Sequence, residues 1–229
     1  MKAVANIIIS AAALAWAAAA SAAPAQYQIT GVHSYEYDAS HAPVNPSTYL
    51  FANDAAITLN LTYDANGAAT GTQYNYFPYG AFTLYNAASG LSGSVAGYQF
   101  SAATGASGTM NDSAVGGLTF DGLVNIFGNV DNNGTSYGTG FTGFTIGGYT
   151  LIGVDYFKLT DSSYLTSLDL PATLTNGGET GIHLTLSNGT DVRNVVFTAN
   201  ISAVPVPAAA WLFASGLLGL ATTRRARKH

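Results

Sequence analysis

The chain has no cysteine among its 229 residues, so neither a disulfide framework nor a thiolate metal site is open to it. Charge is scarce as well. Asp, Glu, Lys and Arg make up 8%, against roughly 25% in an average soluble domain. Seven residues are basic, and between the two ends only Lys158 and Arg193 remain. A nucleic-acid interface needs clustered Lys and Arg to displace counterions from phosphates, so that class of partner drops out. There is no fixed-period repeat, which argues against a solenoid or propeller, and no helical periodicity between the termini. Aromatic residues are plentiful, with 14 Tyr and 11 Phe in a chain that is 48% hydrophobic. Disordered chains are poor in such residues and rich in net charge, so a folded body is expected.

The two ends read as addresses rather than as parts of that body. Lys2 supplies a positive start, and Ala3 to Ala20 is apolar except for Asn6 and Ser10. The triplet Ala20-Ser21-Ala22 then fits a signal peptidase site, with the cut between Ala22 and Ala23. Residues 1–22 are therefore expected to be a secretory signal peptide. At the other end, Val204-Pro205-Val206-Pro207 leads into an uncharged run from Ala208 to Thr223 that contains Trp211. Sixteen helical residues span about 24 Å. That is somewhat short of a hydrocarbon core of roughly 30 Å, a gap that an interfacial Trp and snorkelling basic residues can close. Arg224, Arg225, Arg227 and Lys228 follow. By the positive-inside rule they stay cytoplasmic and leave the body outside, with residues 208–223 as a transmembrane helix.

Proline pair, Trp-Leu-Phe, Ser-Gly-Leu-Leu-Gly-Leu and basic finish, in that order, resemble the PEP-CTERM protein-sorting signal, a tail also labelled an ice-binding protein C-terminal domain. The resemblance covers residues 204–229, and Val206 stands where the family's motif usually has Glu. It implies an exopolysaccharide-producing Gram-negative bacterium and an exosortase, a membrane-embedded cysteine transpeptidase-like enzyme, with this chain as its substrate. The implied recognition elements are Val204, Pro205, Val206, Pro207, Trp211 and the terminal Arg224, Arg225, Arg227 and Lys228.

Residues 23–203 form the body, enough for one domain with a substantial core. All twelve acidic residues lie there against Lys158 and Arg193, a net charge of about −10 that should repel anionic polymers. Its hydrophobic period is two. Ile57, Leu59, Leu61 and Tyr63 alternate with Thr58, Asn60 and Thr62, and Ile182, Leu184 and Leu186 alternate with His183 and Thr185. Val195, Phe197, Ala199 and Ile201 repeat the pattern, as half-buried strands do. Further strands are expected over Gln28–Tyr37, Gly71–Phe77, Leu118–Phe127 and Tyr149–Leu159, and near Phe82, Tyr98, Phe141 and Leu165. Asn66-Gly67, Asn133-Gly134, Asn176-Gly177 and Asn188-Gly189 are turn signals. The fold class is therefore all-β, a single β-sandwich with a jelly-roll or Greek-key path. The Gly-, Ala- and Ser-rich stretch from Ala87 to Ala114 reads as a loose insertion.

Chemistry is thin in this body. No G-x-S-x-G elbow occurs, and Gly90-Leu91-Ser92-Gly93 and Gly105-Ala106-Ser107-Gly108 read as flexible turns. Of the three histidines, His33 and His183 are expected on solvent faces of strands and His41 in a loop. Glu36 and Asp38, two apart on a strand, are the carboxylate pair a glycoside hydrolase would use, although polar strand faces produce that spacing routinely. Asn129, Asp131 and Asn133 mimic the start of a calcium loop; position twelve is Gly140 instead of a bidentate acid, and an Asx-rich hairpin turn needs the same residues. No cofactor is implied. Tyr74, Tyr76 and Tyr79, and the pair Tyr35 and Tyr37, are the rings a carbohydrate would stack on, or else strand residues packing in a core. A flat threonine array for ice is not found, since Thr173-Leu174-Thr175 stands alone. Five N-x-S/T triplets, at Asn60, Asn111, Asn133, Asn188 and Asn200, follow from composition. The expected function is that of an exported, non-enzymatic envelope or exopolysaccharide-matrix protein with a structural or adhesive role. A carbohydrate-binding module is the alternative, and a secreted hydrolase built on Glu36 or Glu179 a third.

Overall fold

The computed structural model describes residues 24–76, 80–115, 117–131 and 134–205. The signal peptide with Ala22 and Ala23, the tail from Val206 onward, Tyr79 and Asn133 lie outside the described residues. The body is all-β, as the period-two alternation predicts. Among the described residues thirteen strands run β1 (Ala25–Asp38), β2 (Ala56–Tyr63), β3 (Ala69–Tyr76), β4 (Gly80–Tyr85), β5 (Ala88–Val95), β6 (Tyr98–Ala102) and β7 (Ala106–Val115). They continue as β8 (Leu118–Gly128), β9 (Thr145–Ile146), β10 (Tyr149–Asp161), β11 (Glu179–Ser187), β12 (Val192–Thr198) and β13 (Asn200–Ala203). All pair antiparallel in one sheet of order β3-β4-β7-β8-β10-β11-β12-β1-β2-β5-β6, with β13 on β1 and β9 on β10.

Strand β1 is the joint of this sheet. Its first half pairs with β2 and β13, from Ala25↔Tyr63 to Val32↔Ala56, and its second half pairs with β12, from His33↔Phe197 to Asp38↔Arg193. Between His33 and Tyr35 the register slips. Such a bulge inserts one residue and bends the strand, the usual device where a strand passes from one layer to another. It also resets which side chains point inward: Tyr27, Ile29, Gly31 and His33 are buried, then Glu36. At the joint, Thr198 brackets Val32, donating from Oγ1 to the Val32 carbonyl at 3.3 Å and accepting the Val32 N–H at 3.2 Å. Gly31 permits the approach, because a Cβ there would stand 1.8 Å from the Thr198 carbonyl oxygen.

Bending at β1 brings the two halves of the sheet over one core. Ile29, Leu59, Leu61 and Leu91 from one half share it with Leu123, Tyr156, Leu184 and Phe197 from the other. Strands β8 and β10 bury their opposite face too, in a second cluster that includes Tyr74, Phe82, Met110, Ile126 and Phe157, and β11 buries His183 and Thr185 on that face. Each fully buried side chain of this size contributes roughly 1.5–3 kcal/mol, so the double burial fixes the central strands most firmly.

The Ala87–Ala114 stretch corrects the expectation of a loose insertion, since it holds β5, β6 and most of β7. Its small residues serve close packing. A Cβ on Gly93 would sit 2.4 Å from the Phe100 ring, and one on Gly105 would sit 2.4 Å from the Ile126 carbonyl oxygen. The β5–β6 hairpin turns on Ala96 (φ 47°) and Gly97 (φ 88°), a two-residue loop with both φ positive that carries no asparagine. No strand forms near Leu165, and the segment around Phe141 makes only isolated bridges, Ser101↔Thr142 among them.

Residues 162–178 instead form a strap across the open side of the main core, held by side chains from several strands. Asp121 accepts the Leu165 N–H at 2.6 Å, Tyr85 donates to the Leu168 carbonyl at 2.7 Å, and Tyr63 donates to the Pro171 carbonyl at 2.7 Å. Thr109 also donates to the Leu168 carbonyl. Tyr27 Oη accepts the Leu174 N–H at 3.0 Å. Lys158 is buried with its ammonium on the Thr175 carbonyl (3.0 Å) and hydroxyl (2.9 Å) and over the Tyr164 ring (4.0 Å). Burial lowers its pKa. The two basic residues of the body are therefore both structural, because Arg193 is also engaged, as described next.

Candidate functional site

Three of the twelve acids, Glu36, Asp121 and Asp155, are fully buried, so the body's negative charge is not all on its surface. Glu36 is the inward residue after the β1 bulge. Its Oε1 accepts the N–H groups of Leu50 (2.7 Å) and Phe51 (3.2 Å), and its Oε2 meets Arg193 at 3.0 Å. Arg193 also donates to the Thr48 carbonyl at 3.1 Å. His33 packs edge-on to Tyr49 and Phe197 with Nε2 3.6 Å from Glu36. Burial lowers the His33 pKa and the Glu36 carboxylate partly offsets that. This cluster pins the 45–51 loop to the sheet and leaves Glu36 closed to substrate. Asp38 is engaged in its own turn, accepting from Ser40 Oγ (2.6 Å), Ser40 N (2.8 Å) and Ala42 N (3.0 Å). These bonds, the Ser40 hydroxyl foremost, hold its pKa below the usual carboxylate range. The Glu36–Asp38 pair is thus not a pair of open carboxylates, and Glu179 is exposed at the start of β11.

The solvent-face expectation for His33 and His183 is also corrected: both are buried. His33 shares the inward face of Ile29 and Gly31. His183 does point away from Ile182 and Leu184, but that opposite face of β11 is covered as well. There it stands beside Asp155 of β10, its register partner.

The second face of the sheet carries a three-residue side-chain relay. Asp155 Oδ2 lies 3.1 Å from His183 Nδ1, and His183 Nε2 lies 2.8 Å from the Tyr37 hydroxyl. A carboxylate only accepts, so in the neutral imidazole Nδ1 carries the hydrogen and Nε2 receives one from Tyr37. The Tyr37 oxygen then turns its lone pairs to whatever lies beyond. Burial, followed by the charge of Asp155, raises the Tyr37 pKa, so this hydroxyl stays protonated. The other oxygen of Asp155, Oδ1, is buried with no hydrogen-bond partner among the described residues.

Rings stack on this relay. Tyr37 lies 5.5 Å from His183 and 5.4 Å from His41, at interplanar angles of 20° and 17°, with Tyr35 at 6.1 Å. His41 reaches its place through a left-handed backbone (φ 64°) in the turn that Asp38 caps. Together with Tyr74, Asn75, Asp131 and Asn194, the residues Tyr37, His41 and His183 line a cleft of ≈ 200 Å³. Drug-sized ligand pockets start near ~300 Å³, so this one suits a single small polar ring. Of the pair expected to stack on a sugar, Tyr37 lines this cleft and Tyr35 lies outside its lining, 47% exposed and tilted by 32° to Tyr37. Tyr74 is buried, 5.4 Å from Tyr137 in an edge-on pair; burial, then Asp155, raises its pKa. It forms the wall of the cleft and offers no platform.

The calcium candidate divides. Asp131 accepts from the Tyr137 hydroxyl at 3.1 Å, and Asn129 Oδ1 is buried without a hydrogen-bond partner among the described residues. No group of three His, Asp or Glu able to hold a metal occurs among the described residues. Neither near-elbow serine meets a histidine: Ser92 is exposed on β5, and Ser107 donates to Asn125 at 2.6 Å. Asp155 escapes a reading of the sequence, although an acid within Val154-Asp155-Tyr156-Phe157 breaks an apolar run and signals a buried polar role. No protein-family model matches this chain, and neither a curated protein nor a solved structure does.

Proposed function

We propose that this is an exported protein of the cell envelope or exopolysaccharide matrix, non-enzymatic, with a structural or adhesive role. Its body is read as a β-sandwich formed by the sheet folding at β1. A signal peptidase would cut between Ala22 and Ala23, and an exosortase-like membrane enzyme would process the tail through Val204–Pro207, Trp211 and the terminal basic cluster. The single observation that carries the reading is the order of motifs in residues 204–229 behind a signal sequence. One structural fact agrees with it. The first and last strands lie side by side, Tyr27↔Ala203, and the Val204 N–H donates to the Gln26 carbonyl at 2.8 Å. A mature N-terminus and the tail would then leave the domain at one end.

The test is the intact mass and cell fraction of the protein from its native host. A species starting at Ala23, lacking the apolar tail and found outside the inner membrane is expected. Substituting Arg224, Arg225, Arg227 and Lys228 by Ala should leave the precursor unprocessed. A wild-type protein still ending at His229 in the membrane fraction overturns the sorting reading.

A second reading, carbohydrate binding, is favoured by the stacked Tyr37 and His41 rings beside Asn75 and Asn194, with the exposed Tyr35 ring next to Tyr37. Titration with host oligosaccharides, followed by tyrosine fluorescence, should show binding that Tyr35→Ala and Tyr37→Ala each weaken about tenfold, roughly 1.4 kcal/mol. Unchanged binding in both variants removes the cleft from consideration.

A further inference from the structure

On the far side of the molecule from the Tyr37 cleft lies a surface of a different kind. Residues Ala25–Val32 and strands β2, β5, β6 and β13 contain no Asp, Glu, Lys or Arg at all, in a body carrying twelve acids. Their inward positions fill the main core, and their outward positions fall into register. One row runs Ser202, Gln28, Asn60, Ser92, Ser101 across five strands. The next runs Asn200, Thr30, Thr58, Ser94, Gln99. Every one of these side chains is a hydroxyl or a carboxamide, a group that donates and accepts at once. A third row, Gln26, Thr62, Gly90, lacks a side chain at its end, and a shallow trough of ≈ 440 Å³ opens there beside Asn60 and Ser92.

We propose that this face docks an uncharged polysaccharide chain laid flat across the strands. Strand spacing of about 4.8 Å and a same-face repeat of about 6.8 Å set the grid, so the two full rows and the trough row cover roughly 19 by 14 Å. That footprint is well below the ~800 Å² per partner of a standard protein interface, and its rows hold no Trp, Tyr or Arg anchor of the kind that dominates such interfaces. A second copy of this chain is therefore a poor occupant. Anionic polymers find no cation here, and the apolar side chains exposed at its margins, Val32 and Ala56 at one end and Val204 at the other, are separated by the two polar rows. Sugar hydroxyls, which also donate and accept, match both rows without leaving a buried charge. The face is independent of the Tyr37 cleft and rests on the export reading only for where the polymer is met.

The experiment is co-sedimentation of the purified full-length protein with particles of insoluble neutral β-glucan, using alginate-coated beads as the anionic control. Binding to the neutral particles that persists unchanged from about 50 to about 500 mM salt is expected, because no ion pair is screened. The charged double variant Asn60→Lys/Ser92→Lys should lose at least tenfold in affinity. The trimmed variant Gln28→Ala/Asn60→Ala, which introduces no charge and alters only exposed side chains, should lose several-fold with an unchanged melting temperature. Leu118→Ala, at a side chain 63% exposed on β8 in the other half of the sheet, should bind as wild type, which shows that the loss is local to this face. No binding by the wild type overturns the proposal. So does binding that both face variants spare, or binding that salt removes. A dimer that dissociates in Asn60→Lys/Ser92→Lys, with no polysaccharide bound, reassigns the face to self-association and equally overturns it.

Discussion

Gly31→Ala should cost the domain more than about 4 kcal/mol, in the exceptional range for a single substitution. A Cβ at this position would stand 1.8 Å from the Thr198 carbonyl oxygen and 3.3 Å from Ile57 Cγ2. The first of these is backbone, so no rotamer change relieves it. The chain can accept the methyl only by opening the contact between β1 and the β12–β13 run, which is where the two halves of the sheet are joined. Gly97→Ala is the fitting control. Gly97 also lacks a side chain but has nothing within 4 Å, and its only demand is a φ of +88°, worth roughly 1 kcal/mol. Urea melts of both variants decide the matter, and a Gly31→Ala protein as stable as Gly97→Ala would show that the joint has slack.

The second large effect is expected at Glu36. Removal of one partner from a buried ion pair costs about 3–5 kcal/mol. For a body of this size that is roughly 6–20 °C in melting temperature. Glu36→Ala strands Arg193, which is mostly buried, and releases the Leu50 and Phe51 N–H groups together. The loss should therefore appear first in the 45–51 loop, as faster amide hydrogen exchange at Leu50 and Phe51. The double variant Glu36→Gln/Arg193→Met tests the cause. Its glutamine still offers an oxygen to both amides, and its methionine leaves no unpaired charge, so more than half of the lost stability should return. A Glu36→Ala protein within about 1 kcal/mol of wild type, well under the loss expected for a broken buried pair, would mean that the cluster is already solvated.

Both effects lie on one strand, and that strand shows where sequence reading succeeds and where it stops. The alternation of Gln28–Tyr37 marks β1 without ambiguity. It does not reveal the bulge at His33–Tyr35, because a bulge is defined across the ladder by Val196 and Phe197, which lie far along the chain. Reading the strand with one unbroken alternation puts Glu36 and Asp38 together on the open face as a reactive pair; His33 lies before the slip and follows Ile29 and Gly31 inward in either reading. The slip by one residue is what carries Glu36 onto the buried face of Ile29, where an Arg from β12 is waiting. His183 is misplaced for a different reason. Ile182 and Leu184 fix its face correctly, but whether that face meets water depends on Tyr37 of β1, Tyr74 of β3 and Val130 arriving beside it.

The uncharged face teaches the same lesson in reverse. A scan along the chain for regularly spaced threonines finds only short pairs, such as Thr70 with Thr72 and Thr173 with Thr175, because the regularity of this surface runs across strands. Each strand contributes two or three unremarkable polar residues, and the antiparallel register lines them up.

By itself, then, the sequence determined the all-β class, most of the strands and the inward residues of β2, β11 and β12, because each of these is encoded in neighbours two residues apart. The tertiary structure alone decided the order of strands in the sheet, the joint at Gly31 and Thr198, the Asp155–His183–Tyr37 relay, the strap over the core and the flat uncharged face. All of these arise where distant strands meet, and packing and hydrogen bonding across that distance leave no periodic trace in the chain that makes them.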